Sequence, residues 1–287
     1  MDTMQYFNTI KEYNQFIGYG SPKKELIDVV HYDDFPELRL SCKGLKSDFY
    51  MIAFKRGMTD LEWYGNTEFD TKSGFCYFIK PDQTHKWEVK KPWKGYHILI
   101  SPILLQEHNI DFSFFQYEIN EALFLSEDEQ SQIETLYKQV LTEYRKDNYA
   151  LDLIMAYCNL ICTYISKCYK RQFDTREPLY NKIVVEFKKQ LNSYYAGNPQ
   201  QLPSVNYFAD KLNLSTNYFG DLIKHNLGKT ATEIIHSKII AEAKKQLLSS
   251  NRSISEIGYN LGFEYPTYFA RLFKKHTGVT PSQFKND

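Results

Sequence analysis

The sequence predicts a two-domain α+β protein: an N-terminal antiparallel β barrel with a helical pair, followed by an all-α C-terminal domain. Three observations support this fold class. Strand-like runs alternate with turn residues over 49–101, apolar residues recur at helical spacing over 126–170, and an internal repeat follows residue 180. We place the first domain at 1–172, with its barrel at about 25–110 and its helices at about 126–170, and the second domain at 179–287.

The barrel is predicted from five aromatic and β-branched runs. They are FYMIAFKRG, LEWYG, FCYFIKP, HKWEV and GYHILIS, all within 49–101. Aromatic and β-branched residues are enriched in strands, whereas the Gly, Pro, Asn and Asp residues between the runs favour turns. The pattern predicts an antiparallel sheet or a small barrel.

The helical pair is predicted to begin at Ser126, because a hydroxyl followed by acidic residues is typical of a helix start. A second helix is predicted at roughly 149–170. Its cysteines are expected to act as small buried apolar residues: Cys158, Cys162 and Cys168. The apolar faces of the pair could form domain core alone, or could also bind a second subunit as a homodimer.

Charge divides the chain near the predicted boundary, which is the polar segment 171–178 that ends in Pro178. Up to Tyr180 there are 21 basic and 27 acidic residues, and after it 14 basic and 8 acidic, so the two parts carry net charges of about −6 and +6. We call the part after Tyr180 the basic module. Its positive charge, next to an acidic N-terminal part, predicts that the basic module binds a polyanion.

Composition also bears on the compartment. The five cysteines are odd in number and fit a reducing cytoplasm. No stretch of about 18 uninterrupted apolar residues is present, and the N-terminus has no cationic flank before an apolar core. We therefore expect a cytoplasmic protein with no membrane partner.

The repeat lies in the basic module. A shift of 49 residues places Leu212, Asn213 and Leu214 on Leu261, Gly262 and Phe263. A shift of 50 residues aligns a further set, namely Tyr218, Phe219, Leu222, Lys224, Gly228 and Thr230 with Tyr268, Phe269, Leu272, Lys274, Gly278 and Thr280. Two copies of one helix, tight turn, helix unit are predicted.

Each copy carries the residue types that such a unit requires. Ala209 and Gly258 are small where the first helix crosses the second, and Asn213 and Gly262 tolerate a positive φ in the turn. The second helix is predicted to begin at Ser215 in one copy and near Pro266 in the other, and to end at Gly228 and Gly278. A helix over 232–248, about 25 Å long, would join the two units.

The string LGFEYPTYFARLFKKHTGVTPSQF at 261–284 is very similar to the signature of the AraC/XylS family of bacterial transcription regulators. The resemblance covers about the last 100 residues. It implies two helix-turn-helix units joined by a helix, each inserting its second helix into the major groove of double-stranded DNA. Gly258 departs from the pattern, since that position more often holds Ala.

The helix that begins near Pro266 is expected to bury a stripe formed by Tyr268, Phe269, Leu272 and Phe273. Arg271 is the best candidate for reading bases, because its planar fork can bond both acceptors of a guanine. The alternative is a solvated Arg271 that pairs with Glu264 or a phosphate. Other candidate DNA contacts in this copy are Tyr265, Thr267, Lys274 and Lys275, the lysines being suited to phosphates.

In the first copy the candidate DNA contacts are Ser215, Thr216, Asn217, Asp221 and Lys224. Asn217 could bond an adenine edge or could only cap its helix. Asp221 is repelled by DNA unless it accepts from a cytosine amine, so the first unit is expected to discriminate less, or by rejection. Lys224 is the phosphate candidate.

The string GFCYFIKPDQTHKWE at 74–88 resembles a hairpin of a cupin-like sensing barrel. The resemblance implies a small-molecule effector, for which the candidates are Trp63, His85, Trp87 and Tyr96, although core packing is an alternative for each. His85 stands alone and His97 lies on another strand, so neither a metal nor another cofactor is expected.

Three functions are compatible with these patterns. The first is a sequence-specific transcription regulator with a sensing domain, which would contact RNA polymerase if it activates. The second is a metal-dependent cupin enzyme with an accessory DNA-binding domain, and the third is a regulator whose barrel is only a dimer or partner scaffold. Catalytic motifs such as G-x-S-x-G and H-E-x-x-H are absent from the sequence, which disfavours an enzyme.

Overall fold

The computed structural model describes residues 4–56, 74–89, 91–117, 121–175, 177–197, 199–250 and 252–286. The chain divides into two compact units, Met1–Thr175 and Arg176–Asp287. Within the described ranges, no helix is both long enough and apolar enough to cross a membrane.

In the described residues, the N-terminal unit contains two sheets. The strands are β1 Gln5–Phe7, β2 Ile27–His31, β3 Ser41–Ser47, β4 Tyr50–Arg56, β5 Phe75–Ile79, β6 His85–Glu88, β7 Lys94–Ile100 and β8 Leu123–Phe124. The three-stranded sheet has the order β1-β3-β6 and the five-stranded sheet the order β2-β7-β4-β5-β8. All these pairs are antiparallel except β1 with β3.

Four of the five predicted runs are strands, β4 to β7, and the fifth, LEWYG, lies outside the described residues. The prediction of a closed barrel is wrong for the part of the chain that the structure describes, where no strand pair joins the two sheets. The five-stranded sheet has β2 and β8 at its edges, and β8 is only two residues long. Closure depends on which edge strands pair, and the run pattern within single strands carries no information on that pairing.

The helices of the N-terminal unit are α1 Ile10–Ile17, α2 Pro102–Glu107, α3 Glu127–Tyr144 and α4 Leu151–Thr175. Ser126 caps α3 as predicted, with its hydroxyl accepting from the Glu129 N–H and the Glu129 carboxylate accepting in return. Helices α3 and α4 pack together, and Cys158, Cys162 and Cys168 are buried, as predicted.

The segment 171–178 is helical where the structure describes it. Helix α4 continues to Thr175, because Arg171 pairs with Glu129 and the Gln172 side chain accepts from the Phe124 N–H. The next helix already begins at Glu177. The polar residues Arg171 and Gln172 hold α4 against the N-terminal unit. In the sequence, a polar run of this kind resembles a linker.

The C-terminal unit is all helical, as predicted. Its helices are α5 Glu177–Ala196, α6 Val205–Lys211, α7 Thr216–Leu227, α8 Ala231–Ser249, α9 Ile254–Asn260, α10 Pro266–Thr277 and α11 Pro281–Asn286. Helix α8 contacts α5 and α7 on one side of the repeat and α9, α10 and α11 on the other. Its buried residues are Ala231, Ile235, Ile239, Ile240, Ala243 and Leu247.

Candidate functional site

The first helix-turn-helix unit consists of α6 and α7. Ala209 is fully buried, and its carbonyl accepts from the backbone N–H groups of Leu212 and Leu214, each at 3.0 Å. Asn213 has φ of 54°, so it takes the left-handed conformation that Asn adopts more readily than most residues. The predicted turn is therefore confirmed.

The second unit, α9 and α10, repeats this turn bond for bond. The Gly258 carbonyl accepts from Leu261 at 3.2 Å and from Phe263 at 3.1 Å, which are the same two bonds shifted by 49 residues. Gly262, with φ of 91°, occupies the place of Asn213. The sequence repeat is thus a repeat of backbone geometry.

The second helices begin differently and end alike. Ser215 caps α7 by accepting from the Tyr218 N–H at 3.2 Å, whereas α10 begins with Pro266 and has no side-chain cap. At the other end, Gly228 and Gly278 are both left-handed C-caps. Thr216, at the start of α7, donates to the Asn206 side chain of α6 at 2.7 Å. The hydroxyls of Ser215 and Thr216 therefore already have partners within the unit.

The predicted contacts on α10 lie at the surface. Tyr265, Thr267, Arg271, Lys274 and Lys275 are all exposed. In the part of the chain that the structure describes, Arg271 forms no ion pair with Glu264. Its guanidinium is therefore available to an external partner.

On α7, Asn217 and Lys224 are exposed and Asp221 is half-buried. The helix caps itself with Ser215, so Asn217, two residues further on, is not the N-cap. The local-cap alternative for Asn217 does not apply, and its amide projects from the first turn of the helix.

The predicted stripe on α10 is wrong at Tyr268. Phe269 and Phe273 are fully buried and Leu272 is half-buried, but Tyr268 is 57% exposed. Its counterpart in the first copy, Tyr218, is only 1% exposed, because α5 packs against α7. The hydroxyls of Tyr180 on α5 and Tyr218 are hydrogen-bonded at 2.7 Å. Helix α5 covers the first unit, and no described helix covers the second in the same way. Tyr268 instead lies 5.8 Å from the ring of Tyr265 on the exposed side.

The predicted effector residues do not form one group. His85 and Trp87 lie together on β6, with ring centroids 4.9 Å apart. Tyr96 lies on the opposite face of the five-stranded sheet, where it stacks on Tyr137 of α3 at 5.6 Å, so the structure does not bring it together with His85 and Trp87. Strand periodicity explains this, since Tyr96 and the interior-facing His97 are consecutive on β7. Trp63 lies outside the described residues.

The structure adds two residues to His85 and Trp87 that the sequence analysis missed, Lys55 and Trp93. The Lys55 ammonium lies 3.8 Å from the Trp93 ring centroid, and both side chains are buried. Burial lowers the pKa of Lys55 well below its usual value. A usable signal was present, because Met51, Ala53 and Lys55 share one face of β4 and the first two are core residues.

A metal site is not formed among the described residues, where no three His, Cys, Asp or Glu side chains come together suitably. His85 and His97 are both fully buried. Burial, and secondarily the charge of Lys55, lowers the pKa of each to about 3. Both imidazoles are therefore neutral at physiological pH.

Comparisons with known proteins match the C-terminal part. Residues 208–287 match the family described as "Helix-turn-helix domain". The uncharacterized transcriptional regulatory protein YesN of Bacillus subtilis is 33% identical over 110 residues, which cover 37% of this chain and 29% of that protein. The arabinose operon regulatory protein of Escherichia coli is 29% identical over 112 residues, 39% of this chain and 37% of that protein.

Among solved structures, the C-terminal domain of AraT, a response regulator from Geobacillus stearothermophilus, is 28% identical with a TM-score of 0.34. The match covers 36% of this chain and 84% of that one. The chain spans well under half the length of the two curated relatives named above. The resemblance of the C-terminal residues to AraC-type domains is confirmed.

Proposed function

We propose that this protein is a sequence-specific DNA-binding transcription regulator that reads two successive major-groove segments with α7 and α10. The observation that carries the proposal is the doubled turn, in which the same pair of backbone bonds recurs 49 residues apart. Each turn is followed by a helix of 12 residues that exposes polar side chains. A second helix of this kind is what lies in the major groove in helix-turn-helix proteins.

Helix α8 supports the proposal that α7 and α10 bind two successive major-groove segments. It spans 19 residues, about 28 Å, and its buried face packs against helices of both units. Successive major-groove faces on one side of a duplex are about 34 Å apart. A rigid connection of comparable length suits two helices that enter adjacent turns.

The residue roles follow from exposure and chemistry. Arg271 would bond a guanine in the groove, with Thr267 and Tyr265 beside it at the start of α10. Lys274 and Lys275 follow on the last turn of the helix and would contact phosphates, as would Lys224 on α7. On α7, Asn217 would read bases. The half-buried Asp221 would be repelled by DNA unless it accepts from a cytosine amine, so the first unit would discriminate less, or by rejection.

The test is selection of bound duplexes from a random pool by the full-length protein. A regulator enriches one motif and binds it at least about 1000-fold more tightly than scrambled DNA, with an affinity that falls as salt rises. A pool that stays random after repeated rounds would contradict sequence-specific reading. An activator would also present a surface for RNA polymerase.

We further propose that the N-terminal unit forms a homodimer through α4. Its outer face carries an apolar seam at alternating spacings of four and three residues, the spacing of a coiled coil: Leu153, Tyr157, Leu160 and Tyr164. Leu153 and Leu160 are 42% and 48% exposed. The exposed Asp152 lies at one end and Lys167 at the other. An antiparallel second α4 would therefore bring opposite charges together at both ends.

The dimer proposal predicts that Leu160→Glu yields a monomer, because it places two like charges at the centre of the seam. Light scattering after gel filtration should give twice 33.9 kDa for the wild type and 33.9 kDa for the variant. Asn159→Glu is the matched control, since it adds the same charge at an adjacent exposed position beside the seam. A monomeric wild type, or a Leu160→Glu dimer, would contradict the proposal.

Control of DNA binding by a small effector in the N-terminal unit completes the proposed function. The cupin-like resemblance supports it, and so do His85 and Trp87, which share the interior of this unit. The comparisons give the enzyme alternative no support. A stoichiometric metal in the purified protein would revive that alternative, and elemental analysis measures it directly.

A further inference from the structure

The interior of the N-terminal unit contains a group of buried polar side chains that the DNA-binding function does not use. His85 comes from β6 of the three-stranded sheet, and Lys55 and His97 come from β4 and β7 of the five-stranded sheet. Trp93 precedes β7. All four are buried, with exposures of 7% or less. We call this set the interior cluster.

Several hydrogen-bonding atoms of His85, His97 and Trp93 have no partner among the residues that the structure describes. There, neither ring nitrogen of His85 forms a hydrogen bond, neither ring nitrogen of His97 does, and the Trp93 indole N–H also lacks an acceptor. A buried polar group without a partner typically costs about 1–3 kcal/mol. Native proteins rarely leave such groups together, so a molecule that is not part of the chain is expected to bind them.

Aromatic rings surround the interior cluster on several sides. The His97 ring lies 4.9 Å from Tyr19 and 5.2 Å from Tyr32, and the His85 ring lies 4.9 Å from Trp87 and 6.2 Å from Tyr77. The rings of Trp87 and Trp93 are 5.6 Å apart. These are contact distances, so the bound molecule must be small, and its body must be apolar or planar to pack on the rings.

The donors and the amine indicate which polar group the molecule carries. Each neutral imidazole offers one N–H and one acceptor nitrogen, the indole offers one N–H, and Lys55 offers an amine. Lys55 Nζ lies within 3.8–5.8 Å of the ring centroids of Trp93, Tyr77 and Tyr32. An anionic group beside this amine would favour its protonated form and accept several of the N–H bonds at once.

We propose that the interior cluster binds a small monocarboxylate with an apolar or planar body. Its carboxylate contacts Lys55 and accepts from the N–H groups of His85, His97 and Trp93, and its body packs on the aromatic rings. The inference rests on the proposed function, since such a ligand would be the effector of the regulator. It names the chemical class of that effector and the residues that select it.

The experiment measures the melting temperature of the full-length protein with sodium acetate, propionate and benzoate. Acetamide, propionamide and benzamide serve as neutral isosteres, and sodium chloride equalises the ionic strength. At a ligand concentration about a hundredfold above its Kd, at least one acid should raise Tm by about 5 °C, and the corresponding amide should not. No rise with any acid, or an equal rise with the matching amide, overturns the proposal.

Two variants assign the binding to the cluster. Lys55→Met removes the amine and keeps an unbranched side chain, and His97→Phe removes both ring nitrogens and keeps a ring. Circular dichroism identifies which variants fold. The rise in Tm should be lost in each folded variant, and a rise that persists unchanged in either overturns the assignment.

The Tm measurement and the DNA selection, made on the same protein preparation, distinguish failure of this proposal from failure of the proposed function. A protein that selects a DNA motif but whose Tm responds to no acid refutes the carboxylate site and leaves the regulator standing. A protein whose Tm responds to an acid but that selects no DNA motif, with or without that acid, refutes the regulator and leaves the site standing.

Discussion

Gly262→Ala is expected to destabilise the C-terminal unit by about 3 kcal/mol, because two effects add at this turn. The backbone has φ of 91°, a conformation that residues with a Cβ rarely adopt. The new Cβ would also lie 2.5 Å from the carbonyl carbon and oxygen of Gln201, in the segment between α5 and α6. This neighbour is backbone and cannot rotate away as a long side chain could. Urea denaturation followed by far-ultraviolet circular dichroism measures the change.

Gly278→Ala is the matched control for this prediction. Gly278 lies in the same unit and has a similar φ of 83°, but no atom of the described residues lies within 4 Å of its added Cβ. We therefore expect a loss of about 1 kcal/mol from backbone strain alone. Equal losses in the two variants would show that the contact between the turn and Gln201 does not constrain the unit.

Arg271→Ala is expected to remove most discrimination at one or two base pairs of the selected motif, about 1–3 kcal/mol or roughly 5- to 150-fold. The guanidinium is exposed on α10, and its planar fork matches the two acceptors of a guanine edge. Binding should be measured against a set of duplexes, each with one base pair changed. The variant should bind the wild-type motif and the affected single-base changes with similar affinity.

Lys274→Ala serves as the comparison, since Lys274 is exposed three residues further along the same helix. Loss of a phosphate contact should weaken binding to all duplexes alike and reduce the salt slope by about one unit. If Arg271→Ala and Lys274→Ala give the same profile across the duplex set, the separation of base reading from phosphate contact is wrong.

The C-terminal unit could be predicted in detail because its signals are local. A residue that tolerates positive φ, a small residue four positions before it and a Gly C-cap each act within a few residues of the chain. Asn213, Gly262, Gly228 and Gly278 all have the predicted conformation. The prediction that Tyr268 is buried is wrong for a nonlocal reason. The burial of its counterpart Tyr218 depends on α5, which precedes the repeat.

The N-terminal unit could be predicted only in part, since sheet closure and the interior depend on strand pairing. Strand β3 has the sequence SCKGLKS, which is too polar to resemble the other strands, and β1 pairs with it in parallel. Periodicity of two could have separated Tyr96 from His97 and placed Lys55 inside. It could not have shown that β4, β6 and β7 bring Lys55, His85 and His97 into one cluster.

A change in the spacing of the half-sites on the DNA tests whether α8 holds α7 and α10 at a fixed spacing, as we propose. The selected motif should contain two half-sites about one helical turn apart. Insertion of about half a turn, roughly 5 base pairs, rotates one half-site to the far side of the duplex. We expect the affinity then to fall to that of a single half-site. An affinity that is unchanged by the insertion would contradict the fixed spacing of α7 and α10.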